Sequence, residues 1–192
     1  MKQNKIAIIY DFDGTLTPKS MQEYTLLPKL GINSQSFWGN IVKEAKETGG
    51  ESMMIYMRQL LDHAKNKNIR ISKDEFFKMG KDIQYYNGVV EWFKNIDRYV
   101  KKISYGEVEI YHYIISAGHM EILEGISIKK YIKKIFASEY FYNDEQHAVF
   151  PKIVVTDTTK TQYLFRINKG KENLSDNINS HMSENKRPIP FD

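Results

Sequence analysis

The chain has 192 residues, 41% hydrophobic and 13% aromatic, which is enough to bury a core in one domain with a small inserted one. It contains no cysteine, which excludes disulfides, thiolate zinc sites and a cysteine nucleophile. The net charge of +4 suits an anionic ligand, but the lysine clusters have no interleaved aromatic stripe, so we expect no nucleic-acid partner. The first apolar run is shorter than the roughly 7–15 residues of a signal peptide. No span of about 20 apolar residues follows it, so we expect a cytoplasmic protein with no membrane contact.

The first half of the chain predicts a strand, a long helical block and a second strand. Residues 5–10 form a continuous β-branched run that is typical of a buried strand. Residues 20–87 show apolar positions at three- and four-residue spacing, and Ser72 provides an N-cap signal within them. A further amphipathic helix over 88–103 precedes the second strand, "EVEIYHYIISAG", which ends in a turn of small residues. This order indicates a crossover unit with the helical block inserted after the first strand.

The second half continues the alternation. We predict a helix over 120–135, a third strand over 136–142, and a hairpin return strand over 147–155. The segment "TTKTQYLFRINKG" predicts a short helix that ends at Gly170, and a polar tail with two prolines follows. The sequence therefore predicts an α/β fold with a Rossmann-like parallel sheet flanked by helices.

Two aspartates follow the first strand in the segment "DFDGTLT". Ligands of open α/β sheets collect beyond the carboxyl ends of the strands, where Asp11 and Asp13 would lie. Adjacent carboxylates favour a hard cation such as Mg²⁺, which reduces the cost of burying them. One carboxylate could attack phosphorus while the other moves the proton, and Gly14 could let backbone N–H groups bind phosphate. The alternative is that Asp-Gly marks an ordinary turn, but the full segment behind an apolar strand favours a site.

The stretch "IIYDFDGTLT" resembles the first motif of the haloacid dehalogenase-like (HAD) superfamily, most of whose members are Mg²⁺-dependent phosphatases. The resemblance implies that Asp11 is the nucleophile and Asp13 the general acid/base, and that both bind Mg²⁺. The family's second motif, an apolar strand that ends in a phosphate-binding Ser or Thr, is similar to "IYHYIISAG" with Ser116. Besides the lysine discussed next, the phosphate-binding residues that this resemblance implies are Phe12, Gly14, Thr15, Ser116, Ala117 and Gly118.

The family's third motif is a lysine that stabilises phosphate charge, and three lysines lie in the right region. Lys160 begins the predicted short helix, where its ammonium and free backbone N–H groups could converge on an anion. Lys169 lies at the other end of that helix, and Lys152 lies in an extended piece. We expect Lys160 to be the third-motif residue.

The family's fourth motif, an acidic pair after a further strand, has no match. The acidic candidates Asp176, Glu184 and Asp192 have neither a preceding apolar strand nor the expected glycine. We interpret the chain as lacking the C-terminal part of the family's core.

The inserted helical block resembles the cap of the phosphoserine phosphatase-like subgroup. Residues 1–17 and 88–192 would then form the Rossmann-like core, and residues 18–87 a cap that closes over the site.

The resemblance predicts a phosphatase that hydrolyses a small phosphorylated metabolite through an aspartyl-phosphate. A phosphotransferase or mutase would use the same aspartate, and a non-catalytic phosphate-binding protein would be consistent with the missing fourth motif. A dehalogenase is disfavoured, because a leaving halide has no need of the proton that Asp13 can supply.

Overall fold

The computed structural model describes residues 4–180, which form a four-stranded sheet with helices on both faces. Strands β1 (Lys5–Tyr10), β2 (Glu109–His119) and β3 (Ile132–Tyr142) are parallel neighbours, and β4 (Ala148–Ile153) pairs with β3 in the antiparallel sense. The predicted α/β fold is confirmed, with an antiparallel strand added at the edge by the predicted hairpin.

Helices occupy most of the chain between β1 and β2. The capping box at Ser72 is present: its hydroxyl accepts the N–H of Glu75, whose carboxylate accepts the N–H of Ser72. The helices in the described chain are α1 (Met21–Tyr24), α2 (Leu26–Lys29), α3 (Ser34–Thr48), α4 (Ser52–Asn66), α5 (Lys73–Met79), α6 (Val89–Ile103), α7 (Met120–Glu124) and α8 (Lys160–Lys169), with short 3₁₀ turns at Gly80–Asp82 and Lys129–Tyr131.

The predicted helix over 120–135 is wrong beyond its first turn and a half. Helix α7 ends at Glu124, and β3 begins at Ile132, four residues before the predicted start. Ile132 and Ile135 are both buried at a helix-like spacing of three, because the register skips Lys133 in a β-bulge. The bulge turns the strand so that residues three apart share a face, which reproduced a helical pattern in the sequence.

The sheet separates two apolar clusters. Helix α8 covers one face with Tyr163 and Ile167, which pack on Tyr113, Ile115 and Phe136 of β2 and β3. The other face packs against α6 and the helical segment that follows β1, in one continuous core. Helix α8 and the segment that follows β1 are far apart in sequence, and both reach the carboxyl end of β1.

Among residues 4–180, no helix has both the length and the apolar character needed to cross a membrane.

Candidate active site

The turn after β1, residues 11–17, is called the aspartate loop here. The carbonyl of Phe12 accepts the N–H groups of Leu16 and Thr15 at 2.9 and 3.2 Å, and the Phe12 ring is fully buried. Gly14 has a φ of +77°, a conformation that L side chains rarely adopt. The loop is thus fixed by its own backbone bonds and by the Phe12 ring, and it brings two carboxyl groups to the end of the strand.

Asp11 is paired with a lysine from the other half of the chain. The Lys160 ammonium lies 3.0 Å from Oδ1 of Asp11, and the Phe12 N–H donates to the same oxygen at 2.8 Å. The side chains of Asp11 and Lys160 are 42% and 23% exposed, so a ligand can reach this carboxylate. Lys160 is placed there because it is the first residue of α8, which is packed on the sheet.

The other two candidate lysines have different partners. Lys152 forms an ion pair with Glu139 at 2.6 Å, and Lys169 donates to the carbonyl of Ile178 at 3.2 Å. Of the three lysines that the sequence offered, the structure brings Lys160 to the aspartate loop.

Asp13 is half-buried, and its Oδ1 accepts the backbone N–H of Met21 at 2.8 Å. Burial raises the pKa of Asp13 from 3.8 to about 7, and the charge of Asp11 acts in the same direction. The Met21 hydrogen bond and the charge of Lys160 lower the pKa and offset part of this increase. Near neutral pH the carboxyl group can therefore both give and accept a proton.

The serine predicted to bind phosphate lies beside this loop. Tyr10 at the end of β1 pairs with Ile114, so the chain leaving β1 faces the part of β2 that leads to Ser116. The predicted turn after Ser116 is instead a bulge within β2: Ser116 pairs with Ala137 and His119 with Ser138, so residues 117 and 118 are extra. Such bulges re-aim side chains beside active sites. Residues 116–118 are called the serine bulge below.

The serine bulge is tightly packed. Ser116 is fully buried, and its Oγ accepts the N–H of Gly118 at 3.0 Å. A Cβ on Gly118 would lie 2.1 Å from Cε of Met21, so any larger residue at this position would have to displace the Met21 side chain.

Tyr56 on α4 is a neighbour of the site that was not predicted from the sequence. Its hydroxyl donates to the carbonyl of Ala117 at 3.0 Å and accepts from Nε2 of Gln22 at 3.3 Å. Burial raises the pKa of Tyr56, so the hydroxyl remains a donor. The available signal was that a buried tyrosine needs a partner for its hydroxyl. Helix α4 is thereby attached to the serine bulge.

His119, directly after the bulge, is fully buried and stacks on Tyr140 with ring centroids 5.1 Å apart. Burial lowers the pKa of His119 to about 3, so the imidazole is neutral at physiological pH. The ring serves as packing rather than as an acid or base.

The donor set of the aspartate loop fits Mg²⁺. Residues 4–180 contain no cluster of three or more acidic or histidine side chains able to hold a metal, and the aspartate loop offers two carboxyl groups, those of Asp11 and Asp13. Mg²⁺ commonly keeps several waters and binds through one or two carboxylates plus substrate phosphates. Among the acidic candidates near the C-terminus, Asp176 is exposed, while Glu184 and Asp192 lie outside the described residues.

Comparison with known proteins extends this picture. No family model matches the chain. An uncharacterized protein of Borreliella burgdorferi is 28% identical over 99% of this chain and 73% of its own length.

Among solved structures, a HAD family hydrolase of Salmonella enterica serovar Typhi matches 85% of the chain with a TM-score of 0.58 and 16% identity. A substrate-bound phosphoserine phosphatase complex matches 88% of the chain and 73% of its own length with a TM-score of 0.60 and 20% identity. A phospho-aspartyl intermediate analogue of phosphoserine phosphatase matches 76% of the chain with a TM-score of 0.51 and 20% identity. The chain spans 51% of the Salmonella hydrolase and 61% of the intermediate analogue. The chain therefore shares the fold of these solved structures.

Proposed function

We propose that the chain is a Mg²⁺-dependent phosphatase that hydrolyses a small phosphomonoester through an aspartyl-phosphate on Asp11. The observation that carries the proposal is the 3.0 Å contact between Lys160 and the accessible Asp11, with Asp13 of pKa about 7 in the same loop. A nucleophile, a cation for the transferring phosphoryl group and a proton carrier are the three parts that this chemistry requires.

In the first step Oδ of Asp11 attacks phosphorus in line with the ester oxygen. The bond from phosphorus to that oxygen breaks, and the protonated carboxyl of Asp13 gives its proton to the leaving alkoxide. In the second step the Asp13 carboxylate takes a proton from water, and the resulting hydroxide oxygen attacks phosphorus. The bond from phosphorus to Asp11 then breaks, inorganic phosphate leaves, and both aspartates return to their starting states.

The phosphoryl oxygens would be held by the Lys160 ammonium, the Ser116 hydroxyl and the backbone N–H of Gly14, while the Thr15 N–H donates to the Phe12 carbonyl and supports the loop. Mg²⁺ would be held by the Asp11 carboxylate and by the Asp13 oxygen that does not carry the transferred proton, and it would supply positive charge for the phosphoryl oxygens during transfer. Most of the rate enhancement would come from positioning and charge stabilisation.

The helical segment 18–87 would act as the cap. Because Tyr56 of α4 bonds to the serine bulge, this segment lies close to the proposed phosphate site. A cap in that place excludes water and limits the substrate to a small phosphorylated metabolite.

The test is Mg²⁺-dependent phosphate release from an aryl phosphate by the wild-type chain, Asp11→Asn and the control Asp144→Asn, which alters an exposed carboxylate in the β3–β4 turn. We expect release by the wild type and the control and none by Asp11→Asn. Binding of phosphate without Asp11-dependent release would favour a phosphate-binding protein instead. Formation of a phosphorylated alcohol when glycerol is added would favour a phosphotransferase.

A further inference from the structure

We propose that Met21 is a positioning residue that couples the aspartate loop to the serine bulge, so that Asp13 and Ser116 stay at a fixed distance and orientation relative to each other. The inference rests on the proposed function for its kinetic consequences and on the packing of Met21 for the coupling itself.

Met21 holds the aspartate loop through its backbone. It is fully buried at the start of α1, and its N–H donates to Oδ1 of Asp13 at 2.8 Å. The carbonyl of Met21 accepts the hydroxyl of Thr25 at 2.7 Å, which fixes the backbone of the same residue on its C-terminal side. The position of this backbone therefore sets the position of the Asp13 carboxyl group.

The side chain of the same residue holds the serine bulge. Sδ of Met21 accepts the N–H of His119 at 3.1 Å. The bulge removes residues 117 and 118 from the β2–β3 pairing. The next amide, that of His119, donates to the Met21 thioether. Cε and Sδ of Met21 also fill the space where a Cβ on Gly118 would sit, at 2.1 and 2.5 Å.

One residue thus contacts two catalytic segments that are about a hundred positions apart in the chain, and a shift of Met21 moves both. Misplacing a reacting group by about 1 Å can lower a rate about 10²-fold, because alignment is lost in the transition state. An aryl phosphate binds mainly through charge, so its KM should change less than kcat.

The first experiment compares Met21→Leu, which keeps bulk but removes the sulfur acceptor, with Met57→Leu. Met57 is also fully buried, and it lies on α4. We expect kcat for an aryl phosphate to fall about 10-fold in Met21→Leu with KM within about 2-fold, and both constants to stay unchanged in Met57→Leu. Selenomethionine at every methionine keeps an acceptor of similar shape and should retain the wild-type kcat. Equal kcat values in the two leucine variants would overturn the positioning role.

The second experiment measures the coupling without substrate, by amide hydrogen exchange in Gly118→Ala. The added methyl must displace the Met21 side chain, so we expect the Met21 amide, 97 positions away, to exchange at least about 10-fold faster. In the double variant Gly118→Ala with Met21→Ala the clash is removed, and the melting temperature should exceed that of Gly118→Ala alone.

The two hypotheses can fail separately. An unchanged Met21 amide in Gly118→Ala would overturn the coupling whatever the activity. Phosphate release that persists in Asp11→Asn would overturn the proposed function and leave the exchange result standing.

Discussion

Replacing Asp13 by asparagine should stabilise the folded chain above neutral pH. Burial raises the pKa of Asp13 from 3.8 to about 7, whereas the unfolded chain keeps the ordinary value. Between these two pH values the folded state binds more protons than the unfolded state, so the stability of the wild type falls as pH rises. At 1.36 kcal/mol per pKa unit, the loss reaches about 4 kcal/mol above pH 7 and is absent below pH 4. Asparagine stays neutral, and its amide oxygen can accept the same N–H of Met21.

The assay is urea unfolding in EDTA at pH 4 and pH 8. We expect the difference in unfolding free energy between Asp13→Asn and the wild type to grow by about 4 kcal/mol from the lower to the higher pH. The control Asp144→Asn should keep the wild-type pH dependence. A variant whose stability followed the same pH curve as the wild type would refute the argument that the Asp13 carboxyl is costly to ionise.

Urea unfolding with and without Mg²⁺, in the absence of EDTA, tests Asp13 in a second way. If Asp13 binds Mg²⁺, the cation should favour the ionised carboxylate and remove part of its cost. Added Mg²⁺ should then stabilise the wild type more at pH 8 than at pH 5, and should have little effect on Asp13→Asn. Equal stabilisation of both chains would contradict the assignment of Asp13 as a metal ligand.

Three further outcomes follow from single contacts. Lys160→Met should lower kcat for phosphate release from an aryl phosphate about 10²- to 10³-fold, because a charge contact to the transition state is lost. In the same assay Lys152→Met should leave kcat unchanged. Tyr56→Phe should destabilise the fold by about 1 kcal/mol in urea unfolding, because it removes the hydrogen bond to the serine bulge; no loss would mean that the bond contributes nothing. Gly125→Ala should lower the free energy of unfolding by about 3 kcal/mol or more, because its Cβ would lie 1.9 Å from a backbone oxygen of α5. Gly39→Ala, in open space on α3, should raise the free energy of unfolding by about 0.5–1 kcal/mol. Comparable melting temperatures for the two variants would refute this.

The parallel-strand core and the aspartate loop could be predicted from the sequence because their signals are local. The continuous apolar run of β1 predicted the strand but not its burial, because β1 is an edge strand whose residues are half-buried or, at Ile6, exposed. The residues around Asp11 fix their own turn through the Phe12 carbonyl. Helix ends marked by Ser72 and Gly170 were also predicted, since capping depends on residues within one turn.

Tertiary structure decided what depends on contacts between distant segments. The sequence left three lysines open, and the packing of α8 on the sheet places Lys160 beside Asp11. The bulge at Lys133 made a strand resemble a helix, because strand pairing changed the spacing of its buried residues. Met21 carries no chemical signal in the sequence, and its link between Asp13 and Gly118 exists only because two strands bring their carboxyl ends together. A sequence pattern records which side chains are buried, whereas the partners that they meet are set by the fold.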